Sequence, residues 1–205
     1  MAQRESTFGN MVIVLLLVTL ISAGALGFVH DMTSGAIEAA KIKAQNDAIS
    51  KVLPAFDELK SPVTVLPEGE TDSVLVFPAY AQGQLVGVAV KTYSNKGFSG
   101  HISIMAGIDK GGNFTGYAVL EHKETPGLGS KMDVWFNNAD KPGQNVIGKS
   151  PATTKFSVSK DGGDIDAITA STITSRAFLD ALVRAYAAFE KTSGTLSGET
   201  AEKTN

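Results

Sequence analysis

The chain has 205 residues, 43% hydrophobic and 19% charged, a composition typical of one folded domain with attachments and unlike a disordered polymer. The formal net charge is −3 and there is no Lys/Arg run, so no nucleic-acid partner is expected. The absence of cysteine excludes disulfides, thiolate nucleophiles and cysteine-ligated metals. His30, His101 and His122 lie in no metal-ligand pattern, so neither a metal site nor a catalytic residue is predicted.

The N-terminal part of the chain carries a long uncharged apolar run. Residues 10–29 read NMVIVLLLVTLISAGALGFV, and a helix of about 20 residues spans the ~30 Å hydrocarbon core of a bilayer. We therefore predict a short segment over residues 1–9 and a single transmembrane helix over residues 10–29. A cleaved signal peptide is the alternative, because residues 22–25 resemble a cleavage site. Arg4 favours a cytoplasmic N-terminus and a domain on the outer side of the membrane.

A helical pattern follows the apolar run. Apolar residues recur every three or four positions over residues 33–53, and Pro54 would end the helix. The apolar stripe is narrow and rich in alanine, which is typical of a stalk that continues the membrane span. We assign residues 30–60 to this stalk helix and a linker.

Residues 61–190 are predicted to form an α+β domain, in which flanking helices cover an antiparallel or mixed sheet. Runs rich in Val, Leu, Phe and Tyr alternate with glycine turns and predict two β-hairpins and one further strand: residues 73–79, 85–93, 101–108, 113–120 and 154–159. Strict helical spacing then predicts a helix that starts near residues 172–175 and ends at Glu190. The polar segment 191–205 is expected to be a disordered tail.

Residues 124–131, with the sequence ETPGLGSK, directly follow the fourth predicted strand. Gly127 and Gly129 permit positive φ angles and let the backbone approach a flat ligand closely. Thr125 offers a hydroxyl group and Leu128 an apolar side chain. The pattern suits recognition of a planar ring with polar edges, although an ordinary Pro-Gly turn explains the same residues.

Residues 166–175, with the sequence DAITASTITS, place five hydroxyl side chains just before a predicted helix. A helix N-terminus has free amide N–H groups and a partial positive charge, so a phosphate is well placed there. Helix capping is the alternative explanation for one or two of these hydroxyls. Capping does not account for the small residues 169–172 or for Asp166.

Three motifs together resemble a known family. KGFSGHISIMAGID, EHKETPGLGSKM and DAITASTITS occur in this order and are similar to the FMN-binding domain of the RnfG and NqrC subunits. These subunits belong to the Rnf (ferredoxin:NAD oxidoreductase) and Nqr (NADH:quinone oxidoreductase) ion-pumping complexes. The resemblance covers about residues 74–189, and the N-terminal anchor fits it as well.

The resemblance implies covalent FMN, which a flavin transferase joins through its phosphate to a threonine in a D-x-x-(S/T)-G-A-T motif. Asp166 matches the acid of this motif, Thr169 the S/T position and Thr172 the accepting threonine. Ala170 and Ser171 depart from it, standing where the family usually has glycine and alanine. Ser171 and Thr174 therefore remain rival acceptors.

The resemblance also implies which other residues hold the cofactor. Residues of the ETPGLGSK segment would contact the isoalloxazine ring or lie near it: Glu124, Thr125, Gly127, Leu128, Gly129 and Lys131. Ser171 and Ile173 would lie near the attached phosphate.

The function implied by the resemblance is electron transfer within a membrane-bound Rnf complex. The FMN would relay electrons between ferredoxin-side and NAD-side redox centres, coupled to Na⁺ or H⁺ transport, and the chain would not be catalytic alone. The expected partners are other Rnf membrane and cluster-binding subunits, the flavin transferase and membrane lipid. The expected location is the bacterial inner membrane, with a single span and the soluble domain on the periplasmic side.

Other functions remain open at this point. The chain could be an NqrC-like subunit of a Na⁺-translocating NADH:quinone oxidoreductase, although its short length favours RnfG. The departures at Ala170 and Ser171 leave room for a membrane-anchored assembly or binding module without flavin. A third possibility is a flavoprotein of extracellular electron transfer that belongs to no ion pump.

Overall fold

A computed structural model describes residues 7–67 and 72–198 of the chain. It divides into two compact units, Met1–Ala44 and Gln45–Asn205. The start of the predicted segment 1–9 lies outside the described residues. The predicted domain boundary after residue 60 stays a prediction, although the second compact unit already begins at Gln45.

The first helix, α1, runs from Phe8 to Val52. One stretch of it has a mean hydropathy of 2.7 and is not buried in the protein, so this helix has the length and composition to cross a membrane. The predicted span and stalk are therefore parts of one continuous helix. It ends two residues before Pro54 because the residue that precedes a proline is disfavoured in the helical conformation.

A sheet of antiparallel strands forms the centre of the second unit. Its strands are β1 (Glu58–Leu59), β2 (Val63–Val65), β3 (Val74–Ala81), β4 (Gln84–Gly97), β5 (Gly100–Asp109) and β6 (Phe114–His122). The order is β1-β3-β4-β5-β6, and β2 pairs with β3 beside β1. Both predicted hairpins are present, as β3–β4 and β5–β6.

Both faces of the sheet are covered, which explains the many apolar residues in β4 and β5. Val88 and Val90 belong to the larger core, which also contains residues of the C-terminal helix. Ala89, between them, packs in a smaller core with Ile49 and Val52 at the C-terminal end of α1. Because successive side chains of a strand point to opposite faces, each strand supplies both cores.

In its described part the second unit has two further α-helices and three short 3-10 helices, the latter over Gly129–Lys131, Pro142–Gln144 and Ser159–Asp161. The short helix α2 covers Met132–Trp135, and the long helix α3 covers Thr172–Gly198. The predicted α+β class, with an apolar N-terminal helix and an antiparallel sheet flanked by helices, is confirmed. The C-terminal helix is longer than expected. It continues past Glu190 to Gly198, within the segment predicted to be disordered. The rest of that segment, residues 199–205, lies outside the described residues.

The predicted strand over residues 154–159 is wrong. Among the described residues this segment makes only an isolated bridge, from Val158 to Ile165. Its backbone instead bonds to the turn that follows: the carbonyls of Lys155 and Ser157 accept from Asp164 N and Ile165 N at 3.1 and 3.2 Å. In the part of the chain that the structure describes, this segment pairs with no strand of the sheet, and its alternating sequence forms a local turn.

Candidate functional site

A cavity of about 330 Å³ lies between three separate segments of the second unit. The turn between β4 and β5, the loop after β6 and the N-terminal turn of α3 supply its walls. The lining residues are Phe98, Glu124, Thr125, Leu128, Gly129, Ala170, Ser171, Thr172, Ile173 and Thr174. The volume is at the lower end of the range of small-molecule sites. The two sequence segments predicted to carry chemistry therefore meet at one place.

Glu124 holds the three walls together. Its side chain is 5% exposed, and Oε1 accepts a hydrogen bond of 3.0 Å from Ser99 N in the β4–β5 turn. Oε2 accepts a hydrogen bond of 2.6 Å from Thr174 Oγ1 in the first turn of α3. Each carboxylate oxygen therefore accepts a hydrogen bond from a different wall of the cavity, which fixes the positions of the walls relative to one another.

Gly129 fits against this carboxylate because it has no side chain. A Cβ atom at this position would lie 2.6 Å from Glu124 Oε2 and 2.8 Å from Thr174 Oγ1. Gly97 is in a similar position, since its Cβ would lie 2.7 Å from Glu124 Oε1. Gly129 was predicted to allow a ligand to approach the backbone closely. In the structure it allows the cavity walls to pack closely against each other.

The remainder of the ETPGLGSK segment is a self-bonded turn. Thr125 O accepts hydrogen bonds from Leu128 N at 3.2 Å and Ser130 N at 3.4 Å. Gly127, with a φ of +76°, donates to Ser130 Oγ at 3.0 Å. Leu128 is 40% exposed and turns toward the cavity. Gly127 and Lys131 do not line the cavity, and Lys131 is exposed.

The N-terminal turn of α3 has backbone amide groups that can donate hydrogen bonds to an anion. Ser175 N donates to Ser171 O at 3.1 Å, which is the first hydrogen bond of the helix. Among the described residues, none accepts a hydrogen bond from the amides of Thr172, Ile173 or Thr174. Free amides at a helix N-terminus carry partial positive charge and can donate to a phosphate.

The hydroxyl groups of this turn differ in how they are used. Ser171 Oγ donates to Thr174 Oγ1 at 2.9 Å, and Thr174 in turn donates to Glu124. Both residues are buried. The half-buried Thr172 makes no side-chain hydrogen bond within the described part of the chain, and it lines the cavity. The exposed Ile173 lies beside it on the same wall.

Ala170 has a φ of +62°, in the left-handed region. A residue with a Cβ atom pays about 1–2 kcal/mol for this conformation, whereas glycine adopts it readily. The conformation therefore gives a physical reason for the glycine that the resembled motif has here. The chain makes the same turn with alanine and keeps Thr172 at the edge of the cavity.

Besides Gly127 and Lys131, two more of the predicted site residues do not line the cavity. Asp166 and Thr169 are both exposed. The carboxylate of Asp166 accepts from Ser159 Oγ at 2.7 Å, and its carbonyl accepts from Trp135 Nε1 at 2.9 Å. Asp166 therefore connects the start of the motif to two other segments of the surface.

Phe98 lines the cavity and was not singled out from the sequence. It lies between Gly97 and Gly100 in the β4–β5 turn and is 69% exposed. The signal that could have found it is an aromatic residue at the tip of a glycine-flanked hairpin, where burial in the core is impossible. Hairpin tips are usually polar, so such a residue indicates a contact outside the domain core.

The residues present fit a phosphate-bearing planar ligand such as FMN. The amides of the α3 N-terminus can receive the phosphate, and the Thr172 hydroxyl lies on the same turn. Leu128, Ile173 and Phe98 supply apolar surface for a ring system.

Comparison with known proteins agrees with this fit. Residues 97–187 match the FMN-binding domain family. The G subunit of the ion-translocating oxidoreductase complex of Shewanella oneidensis is 30% identical, over 84% of this chain and 85% of its own. The protein of the same name from Yersinia pestis is 34% identical, over 81% and 84%. The G subunit of the Na⁺-translocating ferredoxin:NAD⁺ oxidoreductase complex of Acetobacterium woodii is 31% identical, over 80% and 83%.

The matches extend along most of each relative, so they include far more than the cavity segments. They confirm the family indicated by the three sequence motifs. This chain belongs to the family of the G subunits of ion-translocating oxidoreductase complexes.

Proposed function

We propose that this chain is the membrane-anchored, FMN-carrying electron-transfer subunit of an ion-translocating ferredoxin:NAD⁺ oxidoreductase complex. The observation that carries the proposal is the cavity at the α3 N-terminus, which lies within the segment that matches the FMN-binding domain family. The relatives are named as subunits of such complexes. The alternative functions, an NqrC-like subunit or a flavin-free module, have no comparable support.

The FMN is covalently linked through its phosphate to Thr172. In the linkage, Thr172 Oγ1 displaces an oxygen-linked leaving group from the phosphorus of the flavin donor. The new O–P bond forms, the P–O bond to the leaving group breaks and the leaving group takes the threonine proton, so the chain gains the mass of one FMN less one water. The phosphate stays beside the free amides of Thr172–Thr174, where its negative charge is favoured. Bound FMN supplies the redox chemistry, while the chain holds and surrounds it.

The choice of Thr172 over Ser171 and Thr174 rests on burial and hydrogen bonding. Ser171 and Thr174 are buried, and both hydroxyls belong to the chain of hydrogen bonds that ends at Glu124. Modifying either would leave buried polar groups without partners, at about 1–3 kcal/mol each. Thr172 lines the cavity, and its modification breaks no side-chain hydrogen bond of the described residues.

The remaining cavity residues hold the ring rather than react with it. Glu124 fixes the relative positions of the walls, and Gly129 lets them approach. Leu128 and Ile173 offer apolar contacts and exclude water from the ring. The chain therefore acts as a carrier, and the rest of the electron path lies in other subunits of the complex.

The apolar part of α1 anchors the chain in a membrane. We place the domain on the outer side of the inner membrane, where a covalent bond prevents loss of the flavin. Protease added to intact spheroplasts should digest residues 30–205. Complete protection of the domain would contradict this orientation.

The test of the proposed function is the intact mass and a peptide map of full-length protein from its native membrane. We expect a gain of one FMN less one water, located on Thr172. Thr172→Ala should lose the flavin, whereas Thr64→Ala should keep it, because Thr64 is an exposed residue of β2 that lies outside the motif and does not line the cavity. Flavin on Ser171 or Thr174 would correct the site, and an unmodified chain in cells that flavinylate other proteins would contradict the function.

A further inference from the structure

Phe98 is an aromatic side chain held in solvent by a fixed backbone. It is 69% exposed, although burial of a Phe side chain stabilises a fold. Its turn is tightly anchored, because the next residue, Ser99, donates its amide to the buried Glu124 at 3.0 Å. The backbone therefore holds Phe98 at the cavity, where the residue stays mostly exposed.

Two other exposed apolar residues line the same cavity as Phe98. Leu128 is 40% exposed and Ile173 is 47% exposed, and both line the same cavity. These three residues come from three different segments that Glu124 joins. Exposed apolar side chains that converge on one cavity indicate a ligand surface rather than scattered surface residues.

From this geometry we infer that Phe98 is a positioning residue that packs against the isoalloxazine ring of the attached flavin, an inference that rests on the proposed function. The flavin is fixed at one end, at Thr172, on the α3 wall. Phe98 stands on another wall of the cavity, and an aromatic ring packs well against a second flat ring. The contact would restrict the rotation of the tethered flavin and shield one part of it from water.

Glu124 explains why this contact can be precise. The same carboxylate accepts hydrogen bonds from the residue after Phe98 and from Thr174, two residues after the attachment point. The tether and the aromatic wall are thus both fixed relative to one buried group. A side chain on a rigid turn positions a ligand better than one on a free loop.

The experiment uses the full chain, flavinylated in the cell and purified in detergent. Tryptophan quenches flavin emission on contact, by electron transfer, whereas phenylalanine does not. Phe98→Trp should therefore reduce the emission per bound flavin several-fold relative to the wild type. Val183→Trp is the matched control, because Val183 is 42% exposed on the same helix as Thr172 but about 16 Å further along it. This control should leave the emission unchanged.

A second measurement does not depend on a large substitution. Phe98→Ala should increase quenching of the flavin by iodide, and Phe98→Leu should restore part of the protection. Intact mass reports flavin loading separately for every variant. Loaded Phe98→Trp with emission equal to that of Val183→Trp, or loaded Phe98→Ala with wild-type iodide quenching, would overturn the inference.

Other results are also decisive. If Phe98→Ala keeps the wild-type flavin environment but no longer co-purifies with the other subunits, Phe98 is a docking residue and the inference is wrong. A wild-type chain without flavin overturns the proposed function, and the inference with it. The mass spectrum separates that outcome from a flavin-loaded protein whose emission and iodide quenching do not change when Phe98 is replaced.

Discussion

Thr174 Oγ1 donates a hydrogen bond of 2.6 Å to Glu124 Oε2, joining residues that lie 50 positions apart in the chain. Glu124 lies in the loop after β6, and Thr174 belongs to the first turn of α3. Both side chains are buried. This bond joins the ETPGLGSK segment to the helix N-terminus, and both line the cavity in which we place the flavin.

Thr174→Val tests this bond with almost no change of shape. The variant leaves Glu124 Oε2 buried without its hydroxyl donor, so we expect a loss of about 1–3 kcal/mol in the free energy of unfolding. Urea denaturation of flavin-free protein measures it. Thr169→Val is the control and should have little effect, because Thr169 is exposed. Equal stability of the two variants would show that the bond contributes nothing.

Gly129→Ala should push apart the walls of the cavity that pack against each other at this position. The new methyl group would meet Glu124 Oε2 at 2.6 Å and Thr174 Oγ1 at 2.8 Å, and overpacking of this kind costs about 1–3 kcal/mol. We expect lower stability together with reduced flavin loading, measured by urea denaturation and intact mass.

Gly127→Ala separates this effect from backbone strain. Gly127 has a φ of +76°, but a Cβ there would meet no atom within 4 Å. This variant should lose stability through strain of about 1–2 kcal/mol and still load flavin. Normal loading of Gly129→Ala would argue against the cavity as the flavin site.

Ala170→Gly should stabilise the protein. Glycine removes the strain of a φ of +62°, and its greater freedom in the unfolded chain offsets only part of the gain, which leaves about 0.5–1 kcal/mol. Ala152→Gly is the control, since Ala152 is exposed and has no positive φ. Urea denaturation should show opposite signs for the two variants. A destabilised Ala170→Gly would contradict the left-handed conformation.

Asp166→Ala should reduce flavin loading without changing the walls of the cavity. Asp166 is exposed and does not line the cavity, so we expect its carboxylate to be recognised by the flavin transferase. Ser159→Ala removes the 2.7 Å hydrogen bond to this carboxylate but leaves the charge. Intact mass should show reduced flavin only for Asp166→Ala. Equal losses in both variants would indicate that the hydrogen bond, and not recognition of the acid, matters.

Tyr117 should make stability depend on alkaline pH. Its hydroxyl donates to Met132 O at 2.8 Å, and burial raises the pKa of Tyr117 above its ordinary value. In the unfolded chain Tyr117 ionises near pH 10, whereas in the folded chain it stays neutral. Its contribution is therefore complete below pH 10 and is lost as the pH rises above that value.

The comparison with Tyr117→Phe isolates this effect. At pH 8 the variant should be less stable by about 1 kcal/mol, the value of one hydrogen bond. At a pH about one unit above the ordinary tyrosine pKa the difference should shrink, because only the wild type has this ionisable group. Urea denaturation at the two pH values measures both. A difference independent of pH would contradict the raised pKa.

Much of the fold followed from local patterns. The uncharged run before Val29 and the alanine-rich repeat up to Val52 are both helical by period, and no proline separates them, so one helix results. The hairpins β3–β4 and β5–β6 follow from apolar runs separated by glycine turns. These elements were predictable because their signals lie within a few residues of one another.

The predictions that failed concern segments whose structure depends on which other segments lie beside them. The segment 154–159 alternates like a strand, but in the described residues its backbone pairs with the turn at 161–165 and not with a strand of the sheet. The segment after Glu190 is polar, yet it continues α3, and Thr192 is buried. Sequence patterns do not state whether a partner surface is present.

For the site, the sequence by itself determined the two segments that carry the chemistry, the family they resemble and Thr172 as a candidate acceptor. Only the tertiary structure decided that Glu124 joins those segments and that Gly129 is needed for their packing. It also showed that Ser171 and Thr174 are buried while Thr172 is half-buried, and that Phe98 lines the cavity. The physical reason is that burial and hydrogen bonding depend on which segments meet in space, and no local pattern of residues contains that information.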